Sequence, residues 1–234
     1  MLLPDDLAPA IFVDRPNRFL IQARQGDRIL ACHCPDPGRL QELLLPGAEL
    51  WIRPSASPQR KTEATVWLVR APSGTLVSLY SALPNRFVGG LLRERRLPGY
   101  EGFTLIRAEV PWQHHRFDFL LESPRNRPYY LEVKSVTFVA DGVARFPDAV
   151  TDRGKRHAFT LATLRKQGLE AGIVFICQRA DAVAFRPMWD RDPAFARTLG
   201  AAADAGVDIH CFTTRVTRRK ITLLQEIPVN LDPE

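Results

Sequence analysis

The sequence predicts a small β-barrel followed by an α/β domain with a mixed sheet. Residues 9–80 contain short apolar or alternating runs that end at turn residues, which is typical of barrel strands. After about residue 81, helical and strand patterns alternate, which indicates an α/β domain. With 45% hydrophobic residues among 234, the chain has enough apolar surface for both cores. We therefore divide it into a barrel over residues 1–81 and an α/β domain over residues 82–234.

The predicted barrel strands are short and separated by turn segments such as Gln25-Gly26-Asp27. They cover residues 11–13, 18–24, 29–34, 49–53 and 65–70. An oligonucleotide-binding (OB) barrel is one architecture of this kind. In such a barrel, Trp51 and Trp67 would be available for stacking on bases. The alternative is that both tryptophans fill the core, which we expect because large aromatic side chains dominate small cores.

The predicted elements after residue 81 are a helix, three strands, a second helix and a buried strand, then a third helix and two strands. Leu97-Pro98-Gly99 ends the first helix, and Gly168 ends the second. The helices cover residues 84–96, 151–166 and 193–205, and the strands cover 104–111, 115–122, 129–139, 171–177, 207–212 and 217–225. This order is typical of a compact α/β core.

The net charge of +6 is compatible with an acidic partner such as nucleic acid. Residues 1–81 have nine Lys and Arg against eight Asp and Glu, a net of +1, whereas residues 82–234 have 23 against 18, a net of +5. A basic surface without any nucleic-acid role has the same composition, so charge alone leaves both interpretations open.

The sequence predicts a cytoplasmic protein that does not enter a membrane. Its four cysteines are few, as expected in a reducing cytosol. Cys32 and Cys34 are one residue apart, a spacing that holds a metal poorly, so free thiols are expected. The N-terminus lacks the basic and apolar regions of a signal peptide. The longest apolar run, residues 171–177, is too short to span a bilayer.

Two acids and a lysine are predicted to converge on one sheet. Glu132 and Lys134 lie two residues apart in the strand-like run 129–136, so they share one face. Asp118 lies between two phenylalanines in the run 116–121. If the two strands pair, charges meet on a buried sheet, where they are rare unless paired or bound to metal. Such a trio would hold a hard divalent cation and activate a water. The alternative is an ion-paired cluster that only stabilises the domain.

Four side chains of the predicted helix over residues 151–166 share one stripe: Arg153, His157, Leu161 and Leu164. The leucines should face the sheet, which places Arg153 and His157 on the same side near the helix N-terminus. Basic groups there oppose the helix dipole and need an anionic partner. That partner is either a carboxylate cluster or phosphate, or else Asp148 or Asp152 at the helix start.

Several catalytic motifs are absent from the sequence. It contains no Gly-x-x-x-x-Gly-Lys-Ser/Thr, Gly-x-Gly-x-x-Gly, His-Glu-x-x-His or Gly-x-Ser-x-Gly motif. Chemistry driven by a nucleotide or a serine nucleophile is therefore not predicted.

Five segments spread over nearly the whole chain are distinctive: residues 34–40 (CPDPGRL), 82–86 (ALPNR), 116–119 (RFDF), 131–137 (LEVKSVT) and 146–154 (FPDAVTDRG). Together they closely resemble the sugar fermentation stimulation protein A family of bacteria and archaea, within the PD-(D/E)xK nuclease superfamily. Where this chain has Asp36-Pro37, we expect Asn-Thr in the family. The resemblance implies an OB-like barrel followed by a PD-(D/E)xK nuclease-like α/β domain. It also implies DNA binding and a regulatory role in sugar metabolism.

The resemblance also implies a role for individual residues. Asp118 and Glu132 would bind Mg²⁺ or Mn²⁺ together with the carbonyl of Val133, because Mg²⁺ accepts few carboxylates and keeps waters. Lys134 would orient or help to deprotonate the attacking water. The supporting or phosphate-binding positions are Arg153, His157, Glu109 and Asn85, and the positions expected to contact nucleic acid are Arg39, Arg86 and Arg116.

The sequence therefore predicts a DNA-binding protein with a divalent-metal phosphodiesterase site. The alternative is a DNA-binding regulator of sugar metabolism genes that retains a nuclease fold without catalysis. The intact trio favours the first hypothesis, because an unused site has no physical reason to keep two like charges together. The type of nucleic acid, and whether the protein is a monomer or a homodimer, are left open.

Overall fold

The first half of the chain forms a closed five-stranded barrel with a short sixth strand at its edge. The computed structural model describes residues 1–55, 59–113 and 115–233, without the side chain of residue 115. The strands pair in the order β3-β2-β1-β4-β5-β6, and a parallel pairing of β3 with β5 closes the barrel. The bounds are β1 Ala8–Asn17, β2 Leu20–Gln25, β3 Arg28–His33, β4 Glu49–Pro54, β5 Ala64–Arg70 and β6 Leu76–Ser78.

The second half forms a six-stranded mixed sheet with helices on both faces. The strand order is β15-β14-β12-β9-β8-β7, with β9, β12 and β14 parallel and the outer pairings antiparallel. The strands are β7 Thr104–Trp112, β8 His115–Glu122, β9 Pro128–Val136, β12 Glu170–Cys177, β14 Asp208–Val216 and β15 Ile221–Ile227. The helices are α1 Leu83–Arg93, α2 Asp152–Lys166 and α3 Pro193–Asp204. The division at residue 81 stays a prediction.

The two faces of the sheet belong to different cores. On one face, Leu131 and Val133 share a hydrophobic cluster with Phe87 of α1 and with Trp51 and Trp67 of the barrel. Both tryptophans are buried, as predicted, but they pack under α1 rather than inside the barrel. The other face packs against α2 and α3. Successive side chains of β9 therefore point alternately to the face that packs against α1 and the barrel and to the face that packs against α2.

The sequence missed a small three-stranded sheet of β10 Phe138–Ala140, β11 Val143–Phe146 and β13 Ala184–Pro187. The strand predicted to continue to residue 139 ends at Val136. The last predicted strand was also wrong at its start, because Thr217 begins a turn. The Thr217 hydroxyl accepts the backbone N–H groups of Arg219 and Lys220 at 3.3 and 3.0 Å, which replaces strand pairing there.

The barrel is attached to the second domain through Asp148. Its Oδ2 accepts the backbone N–H of Leu40 at 2.6 Å, and its Oδ1 accepts Arg191 Nη1 at 2.6 Å. Asp36 Oδ1 accepts the N–H of Gly38 at 2.8 Å. A Cβ on Gly38 would lie 2.9 Å from an oxygen of each carboxylate, so only glycine fits. We call this arrangement the interdomain joint.

In the described parts of the chain, no helix is both long and apolar enough to cross a membrane. The four cysteines are buried and free, in agreement with the expectation for Cys32 and Cys34.

Candidate metal and nucleic-acid site

Asp118 and Glu132 meet where strands β8 and β9 separate. The antiparallel pairing of these strands ends at Phe119 and Leu131. One residue further on, the side chain of Asp118 replaces the strand partner, and its Oδ2 accepts the backbone N–H of Val133 at 2.7 Å. The aspartate is thus fixed by the backbone of the residue that follows Glu132. This is the convergence that the strand pattern predicts.

Glu132 is almost fully buried, and its two carboxylate oxygens differ. Oε1 lies 2.6 Å from Lys134 Nζ and 2.5 Å from His157 Nδ1. Oε2 is buried and has no hydrogen-bond partner among the described residues. A buried, ionised oxygen without a partner is costly, so its presence points to a ligand that would satisfy it.

The two carboxyl groups have pKa values shifted in opposite directions. Burial, and then the charge of Glu132, raise the pKa of Asp118 to about 7, although the Val133 N–H and Lys134 oppose the shift. Burial alone would raise the pKa of Glu132, but Lys134 and His157 outweigh it and hold that pKa below its usual value. Glu132 is therefore ionised near neutral pH, whereas Asp118 loses its proton only near pH 7.

Helix α2 brings His157 to Glu132. Thr151 caps the helix, since its hydroxyl accepts the N–H of Gly154 at 3.0 Å. Leu161 lies buried against the sheet further along the predicted stripe. The Arg153 guanidinium is exposed, and its Nε is 3.5 Å from His157 Nε2.

The alternative partners of Arg153 and His157 are engaged elsewhere. Asp152 pairs with Lys155 at 3.0 Å, and Asp148 pairs with Arg191. Of the two interpretations that the sequence left open, the structure supports the carboxylate cluster.

Glu109 lies on β7 beside Asp118, with Ala108 opposite Phe119. Its charge contributes to the raised pKa of Asp118. Its carboxylate is bound by Arg116 at 2.7 Å, and both side chains are more than half exposed. Glu109, the predicted supporting acid, and Arg116, the predicted nucleic-acid contact, therefore form an ion pair with each other at the rim of the site.

Comparison with known proteins identifies the architecture. A family profile described as the SfsA N-terminal OB domain matches residues 13–79, and one described as the sugar fermentation stimulation protein RE domain matches residues 82–220. The chain belongs to the SfsA family.

Members of the SfsA family resemble this chain along most of its length. A sugar fermentation stimulation protein homolog from Moorella thermoacetica is 43% identical over 231 residues, which cover 98% of this chain and 99% of the relative. One from Chloroflexus aurantiacus is 42% identical, covering 95% and 85%. The solved structure of Pyrococcus furiosus SfsA in complex with Ca²⁺ is 28% identical, has a TM-score of 0.88 and covers 98% of both chains. The predicted fold class is confirmed.

The remaining predicted positions lie on other segments than the two acids. Asn85 and Arg86 are in the first turn of α1, where Asn85 is half-buried and Arg86 is exposed over the ring of Tyr80. Arg39 is exposed on the loop of the interdomain joint and borders a cavity of about 530 Å³ with Arg145 and Arg191. The structure therefore brings together Asp118, Glu132, Val133, Lys134, His157 and Arg153, but not these three.

The described residues around Glu132 offer oxygen donors on one side only and do not enclose a metal ion. In the described ranges, no group of three or more His, Cys, Asp or Glu side chains is arranged to enclose a metal ion. Two carboxylates and a carbonyl are nevertheless a donor set suited to Mg²⁺, which keeps several of its waters. The unpartnered Oε2 of Glu132, beside Asp118, fits such a cation.

Proposed function

We propose that this member of the SfsA family is a divalent-metal-dependent phosphodiesterase that acts on nucleic acid, with DNA as the expected substrate. The single observation behind the proposal is the buried and unpartnered Oε2 of Glu132, next to Asp118 and Lys134. An acid–acid–lysine group with an open oxygen fits the chemistry of water attack on a phosphodiester.

Asp118, Glu132 and the carbonyl of Val133 would hold Mg²⁺ or Mn²⁺. When bound, such an ion lowers the pKa of a water and stabilises negative charge that develops on the phosphate. The Ca²⁺ complex of Pyrococcus furiosus SfsA, at a TM-score of 0.88, supports a divalent ion in this fold.

Lys134 and His157 both act on the carboxylate of Glu132. Both contact Oε1 and keep the carboxylate ionised, which leaves Oε2 oriented for a ligand. Lys134 would also orient the attacking water. Its side chain is 12% exposed, which lets it reach a water at the surface of the site. The exposed guanidinium of Arg153, held near His157, is placed to bind a phosphate oxygen.

Nucleic acid is proposed as the partner on three grounds. The first domain has the OB fold, which supports oligonucleotide binding in other proteins. The net charge of the chain is +6. Arg39, Arg86 and Arg153 are exposed and would contact phosphates. We place the protein in the cytoplasm, in keeping with its four free cysteines.

One observation favours a second function, a DNA-binding regulator without catalysis. Glu132 already has two partners on Oε1, so part of the cluster is satisfied without a cation. In that case the trio would stabilise the domain, and the fold would serve binding only.

A cleavage assay separates the two functions. Labelled single- and double-stranded DNA are incubated with the protein in Mg²⁺, in Mn²⁺ and in chelator, alongside Asp118→Asn and Lys134→Ala. We expect metal-dependent cleavage that both variants lose. Matched controls are Asp152→Asn and Lys155→Ala, an exposed acid and lysine that pair with each other on α2. Salt-sensitive binding without cleavage in any metal would favour the regulator instead.

A further inference from the structure

Three side chains form a layered stack at the junction of the barrel and α1. The rings of Trp67 and Tyr80 are parallel within 6°, with centroids 4.1 Å apart. The guanidinium of Arg86 lies 5.6 Å from the centroid of Tyr80. Because Trp67 covers one face of Tyr80, the guanidinium lies over the other. Trp67 is buried and Arg86 is exposed, so the inner face of Tyr80 is covered by the core and the outer face by a surface side chain.

A cavity of about 470 Å³ opens beside this stack. Its volume falls within the range of roughly 300–1,000 Å³ typical of ligand pockets. Trp67 and Tyr80 form part of its wall, and its basic lining residues are His33, Arg53 and Arg60. An aromatic wall with basic groups around it is the composition that binds single-stranded nucleic acid.

The basic groups of the cavity lie within reach of a phosphate. Arg60 is exposed. Arg53 is half-exposed and pairs with Asp6 at 2.9 Å, an interaction that is weak in solvent. His33 lines the same cavity, but burial, and then the charge of Arg60, lower its pKa, so the positive charge of the cavity comes from Arg53 and Arg60. A strand entering this cavity would therefore meet positive charge beside the aromatic wall.

The cavity shares a lining residue with a second cavity that borders strand β9. Ser81 borders it and also borders a second cavity of about 280 Å³. That second cavity reaches Ser135, the residue after Lys134 on β9. A strand held at Tyr80 would therefore lead over Ser81 towards the C-terminal end of β9.

We propose that an unstacked base of a single-stranded nucleic acid displaces Arg86 from the outer face of Tyr80 and stacks on the ring, with the adjoining strand in the cavity and Arg86 over the base or on its phosphate. Bases in a duplex are paired and stacked on each other, so they offer no free face to this ring. The inference rests on the proposed function, which leaves the strand state of the substrate open, and it names single strands as the substrate class.

The test is binding of an oligothymidine of about 16 nucleotides, the upper site size of one OB fold, in chelator to prevent cleavage. One thymidine is replaced by 2-aminopurine, whose fluorescence falls when it stacks. A duplex of the same sequence is measured in parallel. We expect the single strand to bind more tightly than the duplex, with quenching of 2-aminopurine.

Four variants test whether the base stacks on the ring face of Tyr80. Tyr80→Leu keeps apolar volume but has no π face, and we expect it to weaken single-strand binding about tenfold or more and to abolish quenching. Tyr80→Phe should retain both. Arg86→Ala should weaken binding roughly two- to fivefold. Phe159→Ala is the matched aromatic control, because Phe159 is 67% exposed on α2 and does not line the cavity. It should bind as the unmodified protein does.

The proposal is overturned if Tyr80→Leu binds and quenches like the unmodified protein, or if the duplex binds at least as tightly as the single strand. It is also overturned if the single strand does not bind. Metal-dependent cleavage of both substrates by the unmodified protein is measured alongside. If cleavage persists, only the base site is wrong. If cleavage is absent as well, the phosphodiesterase function fails with it.

Discussion

The interdomain joint and the Glu132 cluster both contain buried carboxylates beside basic groups. They differ in how the hydrogen-bond partners are distributed over the two carboxylate oxygens. In the joint, each oxygen of Asp148 has a short partner, the N–H of Leu40 on one and Arg191 on the other. In the cluster, both partners of Glu132 are on Oε1, and Oε2 has none among the described residues. A complete set of partners holds two domains together, whereas an incomplete set leaves an oxygen for a ligand. In our proposal, this difference separates a cluster that stabilises the fold from one that binds a ligand.

The largest effect is expected at the unpartnered oxygen. Glu132→Gln keeps an amide oxygen for Lys134 and His157 but replaces the open carboxylate oxygen by an NH₂ group. We expect metal-dependent cleavage to fall about 10³-fold, a size typical of removing one charge-stabilising group from an active site. Circular dichroism should show a retained fold. Unchanged cleavage in this variant would place the active site elsewhere.

A substitution in the interdomain joint should change the stability of the protein rather than its activity. Asp148→Ala leaves Arg191 and the N–H of Leu40 without their partner, and we expect a loss of about 3 kcal/mol in the free energy of unfolding. Urea denaturation measures it. Asp152→Ala removes an exposed pair and should cost less than about 1 kcal/mol. Equal losses in both variants would show that the joint does not connect the domains.

His157 should act on the metal through Glu132. His157→Phe has a similar ring but no group to donate to Oε1, and we expect Mn²⁺ affinity to fall about 10- to 100-fold, measured by calorimetry. The control is His210→Phe, which removes a similar histidine–glutamate contact, that of His210 with Glu226 at 2.6 Å. If both variants bind Mn²⁺ as the unmodified protein does, Glu132 is not a metal ligand.

The smallest effect is expected at Asp36 of the interdomain joint, where the free energy of unfolding should depend on pH. Burial raises the pKa of Asp36 to about 6. A carboxyl whose pKa is raised on folding stabilises the protein fully below its unfolded pKa of about 4, and this contribution is lost as pH rises through about 6. The asparagine of Asp36→Asn does not ionise in this pH range, and its amide oxygen still accepts the N–H of Gly38. We therefore expect it to be more stable than the unmodified protein at pH 8 by about 1–2 kcal/mol, with a smaller difference at pH 4. A difference independent of pH would contradict this.

Local patterns in the sequence were sufficient to predict much of the fold and the centre of the site. The stripe of His157, Leu161 and Leu164, with Gly168 after it, predicts α2 nearly to the residue, because helical periodicity and helix-stop signals act within a few residues. Strand alternation places Glu132 and Lys134 on one face for the same reason. Pairing of the two predicted strands adds Asp118 as their partner, and the resemblance to the family adds its role as a metal ligand.

Contacts that depend on how the two domains pack could not be predicted in this way. The hydrogen bond from Leu40 to Asp148 spans 108 residues of sequence, and no local pattern indicates it. The stack of Trp67 and Tyr80 forms only where β5 meets the segment before α1, so Tyr80 was missed. The strands β10, β11 and β13 are three or four residues long, too short for a periodic pattern.

The most direct test is the position of a manganese ion. Crystals grown with Mn²⁺ would be measured at a wavelength where manganese scatters anomalously. We predict an anomalous peak within bonding distance of Glu132 Oε2 and Asp118, with Lys134 and His157 still on Oε1. If saturating Mn²⁺ gave no peak there and left Oε2 without a partner, the carboxylates would not be a metal site, and the phosphodiesterase function would be contradicted.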